Sequence, residues 1–192
     1  MKIEYEATFL NVSKDEIRNK LKDLGGKLIQ PELMLKRNVL ELPEGHQKPG
    51  GFARVRDEGN KITMSVKQIK NGKMDDQRER CVTVNDFNEA KEILEFIGCE
   101  SKAYQESKRE TWEIDGVEIM IDEWPYLEPY VEIEGNSEAD VIAVSKKLGF
   151  DYKDAYFGAV DGIYNKKYSV DIKVVNNSTP KITFDSPNPF LK

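Results

Sequence analysis

Residues 2–9 read KIEYEATF, and the alternation in this stretch decides the fold. Successive side chains of an extended strand point to opposite faces, so Glu4, Glu6 and Thr8 share one face while Ile3, Tyr5, Ala7 and Phe9 share the other. Two carboxylates side by side repel unless something positive lies near them. The same grammar returns along the chain. In YVEIEG (130–135) Glu132 and Glu134 oppose Val131 and Ile133, and in GVEIMID (116–122) Glu118 and Asp122 share a face with Met120. In FARVR (52–56) Arg54 and Arg56 oppose Ala53 and Val55, and in KITMSVKQI (61–69) Lys61, Thr63, Ser65 and Lys67 oppose Ile62, Met64 and Val66. A solvated strand face mixes signs. Here whole strands carry one sign, acidic near both ends of the strand series and basic in its middle, and that segregation points to a site.

Eight runs read as strands: the five above together with RNVLELP, RERCVTV and KRETWEI. DEGNK and IDGVE read as tight turns, so neighbouring strands pair antiparallel. Three amphipathic helices interrupt them. SKDEIRNKLKDLGG has Ser13 as N-cap, Glu16 at the capping-box position, Ile17, Leu21 and Leu24 on one face, and a Gly25-Gly26 stop. NDFNEAKEILEFIG and SEADVIAVSKKLG repeat the pattern, starting at Asn85 or Asp86 and at Ser137 and stopping at Gly98 and Gly149. The expected fold is therefore α+β: a closed or nearly closed eight-stranded antiparallel β-barrel with a polar interior, its apolar outer face covered by helices. Buried charges of this kind are tolerated only when paired or bound to a metal. Carboxylates on one wall suit Mg²⁺ or Mn²⁺, and arginines and lysines on another suit a polyanion that the metal bridges.

The chain has 192 residues, 39% hydrophobic and 33% charged, with a net charge of −6. That composition marks a soluble globular protein of one domain plus an extension and gives no reason to expect general nucleic-acid binding. No apolar run reaches the roughly 18 residues of a membrane span, and the N-terminus enters a charged strand without a signal-peptide core, so a cytoplasmic protein is expected. Cys81 and Cys99 read as packing residues, and His46 lies in a Gly/Pro-rich connection. From about Asp171 onward the chain is rich in Asn, Pro and Ser, and it reads either as an ordered extension held through Ile182 and Phe184, the reading its apolar residues favour, or as a partly mobile tail.

These residues together resemble the triphosphate tunnel metalloenzymes, or CYTH superfamily, which includes class IV adenylyl cyclases and thiamine triphosphatases. The resemblance spans 1–168, leaving 169–192 as a C-terminal extension. It is carried by Glu4-x-Glu6, Arg54-x-Arg56, Lys67, Arg109 in KRE, Asp122 in MIDEWPYL and Glu132-Ile133-Glu134. It implies that Arg54, Arg56, Lys67 and Arg109 clamp phosphate oxygens, with Lys108 a weaker match because strand alternation turns it away. Glu4, Glu6, Asp122, Glu132 and Glu134 would hold Mg²⁺ or Mn²⁺, with Glu79 as a further tunnel carboxylate. Glu4, Glu6, Arg54, Arg56, Lys67 and Arg109 form the implied catalytic set, the substrate is a triphosphate-containing small molecule, and a homodimer is a further expectation.

One departure stands out. The family pattern is Glu-x-Glu-x-Lys, and this chain has Thr8 where the Lys belongs. A hydroxyl donates one hydrogen bond but neutralises no charge, so Lys36 or Arg37 is the candidate compensating cation. The implied activity is hydrolysis of a nucleoside, thiamine or inorganic triphosphate, or cyclisation of ATP with release of pyrophosphate. The alternative is a tunnel that binds polyphosphate or nucleotide without turnover.

Overall fold

Hairpins build the sheet. In the computed structural model, which describes residues 2–69, 73–75 and 77–191, Asp115 and Gly116 both take positive φ, 54° and 76°. This is the tight-turn backbone that joins strand β6 (Glu100–Ile114) to β7 (Val117–Glu123). At the other predicted turn, Asp57 Oδ1 accepts from the Gly59 N–H at 2.8 Å, closing the link between β3 (Gly51–Asp57) and β4 (Ile62–Ile69). With β1 (Lys2–Phe9), β2 (Lys27–Glu41), β5 (Gln77–Val84) and β8 (Tyr130–Gly135), the strands follow the order β2-β3-β4-β5-β1-β8-β7-β6. A long antiparallel β2–β6 pairing closes the circle. The expected eight-stranded antiparallel barrel is present, with one short outer strand, β9 (Lys181–Ile182), lying parallel to β6 at Tyr104 and Gln105.

Closure inverts the usual arrangement of a globular sheet, because the apolar faces point outward and need cover. Helix α1 (Lys14–Asp23), whose N-cap Ser13 accepts from the Glu16 N–H, and α3 (Glu138–Lys147), capped by Ser137, supply it for β1, β6, β7 and β8. Ile17, Leu21, Val141, Val144 and Leu148 pack there on Ala7, Phe9, Ile119, Ile121, Val131 and Ile133. Each fully buried aliphatic side chain of this layer contributes about 1.5–3 kcal/mol. Helix α2 (Phe87–Phe96) is capped by Asp86 and covers Leu40, Ala53 and Val55 through Ala90 and Leu94. Among the described residues no helix is long and apolar enough to cross a membrane.

Three features depart from the sequence reading. Strand β2 begins at Lys27 rather than Arg37, because register shifts around Leu28, Gln30 and Leu33 break the alternation that marks a strand. Strand β6 begins at Glu100 rather than Lys108, and its early inward residues include Gln105 and Ser107, so no apolar stripe announces it. A fourth helix, α4 (Val160–Tyr168), has no side-chain cap and contains Gly162, so it lacks start signals and carries a residue of poor helix propensity. Gly162 is required for close approach: a Cβ there would lie 2.0 Å from the Tyr156 hydroxyl.

Beyond α4 the chain packs on one end of the barrel. Tyr164, Val175, Ile182 and Phe190 are buried against Trp124, Leu127 and Tyr130. The Tyr126 hydroxyl lies 2.9 Å and 2.6 Å from the carbonyl oxygens of Thr183 and Ser186. Of the two residues expected to hold this segment, Ile182 is fully buried, whereas Phe184 is only half-buried.

Candidate active site

Barrel closure turns the one-signed strand faces toward each other. Glu4, Glu6, Glu132 and Glu134 from β1 and β8 line one side of an interior cavity of about 130 Å³. Arg37, Arg54, Arg56, Lys67 and Arg109, from β2, β3, β4 and β6, line the other, with Glu79 of β5 among them. Ten residues singled out in the sequence thus share one space.

Each wall is strained against itself. On the acidic side, burial raises the Glu6 carboxyl to about 8, and Glu132 and Glu134 push the same way against the opposing pull of Lys67 and of Gln77, which donates to Glu6 Oε1 at 2.7 Å. Burial followed by the charge of Glu4 raises Glu134 to about 7. On the basic side, burial followed by Arg54 lowers Arg37 to about 9, and burial followed by Arg56 lowers Arg54 to about 10. Like charges held together in low dielectric favour whichever ligand neutralises them.

Several charges pair with residues one or two strands away around the barrel. Arg54 donates to Glu79 at 2.9 Å, and Lys67 Nζ lies 3.0 Å from Glu4 Oε2. Burial acts against ionisation of Glu79, yet Arg54 and Lys67 hold it down at about 2. Arg56 donates to Glu58 at 3.0 and 2.8 Å, and Thr63 donates to the same oxygen at 2.9 Å. Arg109 forks onto Asp122 and also donates to Glu132 Oε2 at 2.6 Å. Arg37 Nε donates to Gln105 at 2.8 Å, and its guanidinium lies 4.3 Å from the Trp124 ring centroid.

Three buried polar atoms have no hydrogen-bond partner, the Ser65 hydroxyl and two of opposite kinds that line the cavity. Arg54 Nε lacks an acceptor. Glu4 Oε2 lacks a donor, since Lys67 is close but not aligned for a hydrogen bond. A buried donor facing the basic wall and a buried acceptor facing the acidic wall fit a phosphate oxygen and a hard cation respectively. Among the described residues no three His, Cys, Asp or Glu side chains stand close enough to enclose an ion by themselves. Mg²⁺ commonly takes one or two carboxylates and completes its shell with water and substrate phosphate, so the donor set fits such a metal.

Four residues singled out in the sequence do not line the cavity. Lys108 points outward, 3.6 Å from Glu123 and over the Phe184 ring at 4.7 Å, because it alternates with inward Arg109. Lys36 is exposed on the outside, so of the two candidate compensating cations only Arg37 reaches the tunnel. Asp122 faces inward but is 1% exposed beneath Arg109, which engages both its oxygens. Thr8 is 2% exposed in register with Glu132, and its backbone bonds to Tyr156 in both directions at 3.2 and 2.8 Å.

Residues that the sequence reading missed complete the space: Gln77, Ser107, Trp124 and Tyr130, and the stretch Gly158–Val160 leading into α4. Trp124 and Tyr130 carried no signal beyond apolar character. Residues 158–160 follow the bridge between Tyr156 and Thr8, which ties this stretch to β1.

Comparison with known proteins agrees with the fold. A family model, the CYTH domain, matches residues 2–163. No curated protein matches the chain. Among solved structures, a proposed adenylate cyclase from Vibrio parahaemolyticus superposes with a TM-score of 0.71 at 14% identity, covering 84% of this chain and 97% of that one. A conserved hypothetical protein from Pyrococcus furiosus gives 0.66 at 19% identity over 79% and 94% of the two chains. A proposed adenylyl cyclase from Hippeastrum, described as having a dominant triphosphatase activity, gives 0.56 at 11% identity over 90% and 99%. At such identities the likeness is one of fold.

Proposed function

Because the chain belongs to the CYTH domain family, we propose that it is a divalent-metal-dependent triphosphatase that cleaves the terminal phosphate of a triphosphate held in the barrel. The observation that carries this reading is the pairing of an acceptor-less Arg54 Nε with a donor-less Glu4 Oε2 across one cavity. A polyphosphate and a cation satisfy both at once.

Arg54, Arg56 and Lys67 bind the phosphate oxygens and stabilise charge that shifts toward the leaving diphosphate. Arg37 adds a cation where Thr8 supplies none. Glu4, Glu6, Glu132 and Glu134 would hold the metal, which when bound neutralises phosphate oxygens and lowers the pKa of water. Arg109, clamped by Asp122 and Glu132 and with Nη1 on Met120 Sδ at 3.0 Å, holds Glu132 in place beside the cavity. A carboxylate of the same acidic wall accepts the proton of the attacking water. The new bond joins that water oxygen to the terminal phosphorus, the bridging P–O bond breaks, and the products are orthophosphate and the shortened phosphate chain.

The test is release of phosphate and pyrophosphate from inorganic triphosphate, ATP and thiamine triphosphate with Mg²⁺, Mn²⁺ or chelator. Metal-dependent orthophosphate supports the triphosphatase. Pyrophosphate with cyclic AMP from ATP assigns cyclisation instead. Tight binding of all three without turnover assigns a binding module, the reading that Thr8 in place of lysine favours.

A further inference from the structure

Where β2 and β4 end and β3 and β6 begin, the tunnel opens into a second cavity of about 350 Å³. Arg37, Phe52, Ile69, Ala159 and Val160 line both spaces, so a phosphate chain clamped in the tunnel carries its attached group into this mouth. Part of the outer wall is formed by Ile172, Lys173, Asn176 and Asn177. These residues lie beyond the 2–163 matched by the family model.

We propose that this C-terminal segment completes a recognition pocket for the neutral heterocycle of a nucleoside triphosphate and disfavours cationic organic triphosphates. The inference rests on the reading of the tunnel as a triphosphate site and names the class of group attached to that triphosphate.

Size, surface and charge each argue for it. The volume lies in the range of small-molecule pockets, roughly 300–1,000 Å³. Val39, Phe52, Val160 and Ile172 offer apolar surface to a flat ring, and amides offer the polar edge. Asn176 Nδ2 donates to Asp161 Oδ2 at 2.5 Å, which orients the amide and leaves its Oδ1 as an acceptor. Gln105 Oε1 is taken by Arg37 Nε, which leaves the Gln105 NH₂ as a donor. One fixed acceptor and one fixed donor are what the edge of a nucleobase requires.

The charge balance excludes the opposite kind of guest. Arg37, Lys48, Lys102 and Lys173 line the cavity with only Glu41 and Asp161 against them. Glu41 is paired to Lys102 at 2.6 Å, and Asp161 is bonded to Asn176 and to the Gly162 N–H. Among the described residues neither Lys48 nor Lys173 stands in an ion pair. Asp161 keeps its charge, but a thiazolium-like cation would still meet a net positive lining of four cations against two carboxylates.

The experiment is calorimetric titration of the full chain, in Mg²⁺, with β,γ-imido-ATP and with inorganic triphosphate, followed by displacement of the analogue with thiamine triphosphate. The analogue is expected to bind about tenfold tighter than either competitor. Asn176→Ala should weaken the analogue about fivefold to tenfold, the loss of one net hydrogen bond, and leave inorganic triphosphate unchanged. The exposed pair Lys48→Glu and Lys173→Glu should improve thiamine triphosphate relative to the analogue by about tenfold. Equal affinity of wild type for the analogue and inorganic triphosphate, or equal weakening of both by Asn176→Ala, overturns the pocket and leaves the tunnel reading standing. Failure of inorganic triphosphate to bind overturns both readings.

Discussion

Glu6 and Glu134 stand directly opposite each other on the paired strands β1 and β8, and both face the barrel interior. Facing like charges destabilise a sheet, and here burial adds to the repulsion, so the acidic wall is most stable when its carboxylates are protonated or bound to a cation. The predictions below start from that relationship.

Burial places the carboxyl of Glu6 at about 8 and that of Glu134 at about 7, both above their ordinary 4.5. A folded-state pKa raised above the unfolded value adds stability that is complete below about pH 4.5 and is lost as pH rises through about 7 to 8. Without metal, stability should fall between pH 6 and 8.5 by on the order of a few kcal/mol, and the melting temperature should fall with it. Saturating Mg²⁺ with inorganic triphosphate should flatten or reverse that slope, because the ligand binds the ionised wall. Differential scanning fluorimetry across pH, with and without ligand, reads this; a metal-free slope that rises over the interval contradicts the assignment.

Glu134→Gln removes one of the facing charges while keeping the shape. The metal-free protein should then melt higher at pH 8 than wild type. Metal-dependent phosphate release should fall by about 10²-fold or more, as for loss of a carboxylate that holds the metal or takes the proton. Full turnover in this variant, or in Glu4→Gln, contradicts the acidic wall as the metal site.

Arg54→Lys keeps a charge but loses the fork that reaches Glu79 and the cavity together. Turnover should drop about 10²-fold, with a raised KM for inorganic triphosphate and a steeper loss of activity with added salt. Steady-state kinetics at two ionic strengths separate this from a folding defect, which would leave KM unchanged.

Arg109→Ala strips the partner from Asp122, which is 1% exposed. An uncompensated buried carboxylate costs about 3–5 kcal/mol, so this variant should be strongly destabilised at pH 8. Adding Asp122→Asn should recover much of the loss. Chemical denaturation of the two single variants and the double variant measures the coupling, and additive effects contradict a direct pair.

Gly162→Ala places a Cβ 2.0 Å from the Tyr156 hydroxyl and should destabilise the protein by about 1–3 kcal/mol, as overpacking does. Tyr156→Phe in that background should restore part of the loss. Thermal melts of the pair decide, and no rescue means that the obstacle lies elsewhere.

The barrel was legible because period-2 alternation survives wherever strand pairing is regular, as in residues 2–9 and 130–135. It failed at Lys27–Arg37, where bulges break the register, and at Glu100–Ser107, where a strand that is polar inside a polar barrel looks like a loop. The site was legible for the same reason: Arg54 and Arg56 share a face whatever they meet there. Lys108 was separable from Arg109 by alternation alone. Asp122 was not separable from the other carboxylates, since its capture by Arg109 depends on which residue β6 sets beside it in register.

What local order in the chain determined was orientation: which side chains face together, and where helices start on Ser13, Asp86 and Ser137. These follow from backbone geometry within a few residues. Which charges neutralise one another, how far Glu6 and Glu134 are pushed, and that residues 158–177 close the tunnel mouth were decided only by the tertiary structure. Desolvation and cross-barrel distance exist only once β2 has met β6 and the faces have been enclosed, because in an open sheet each of these charges would be screened by water.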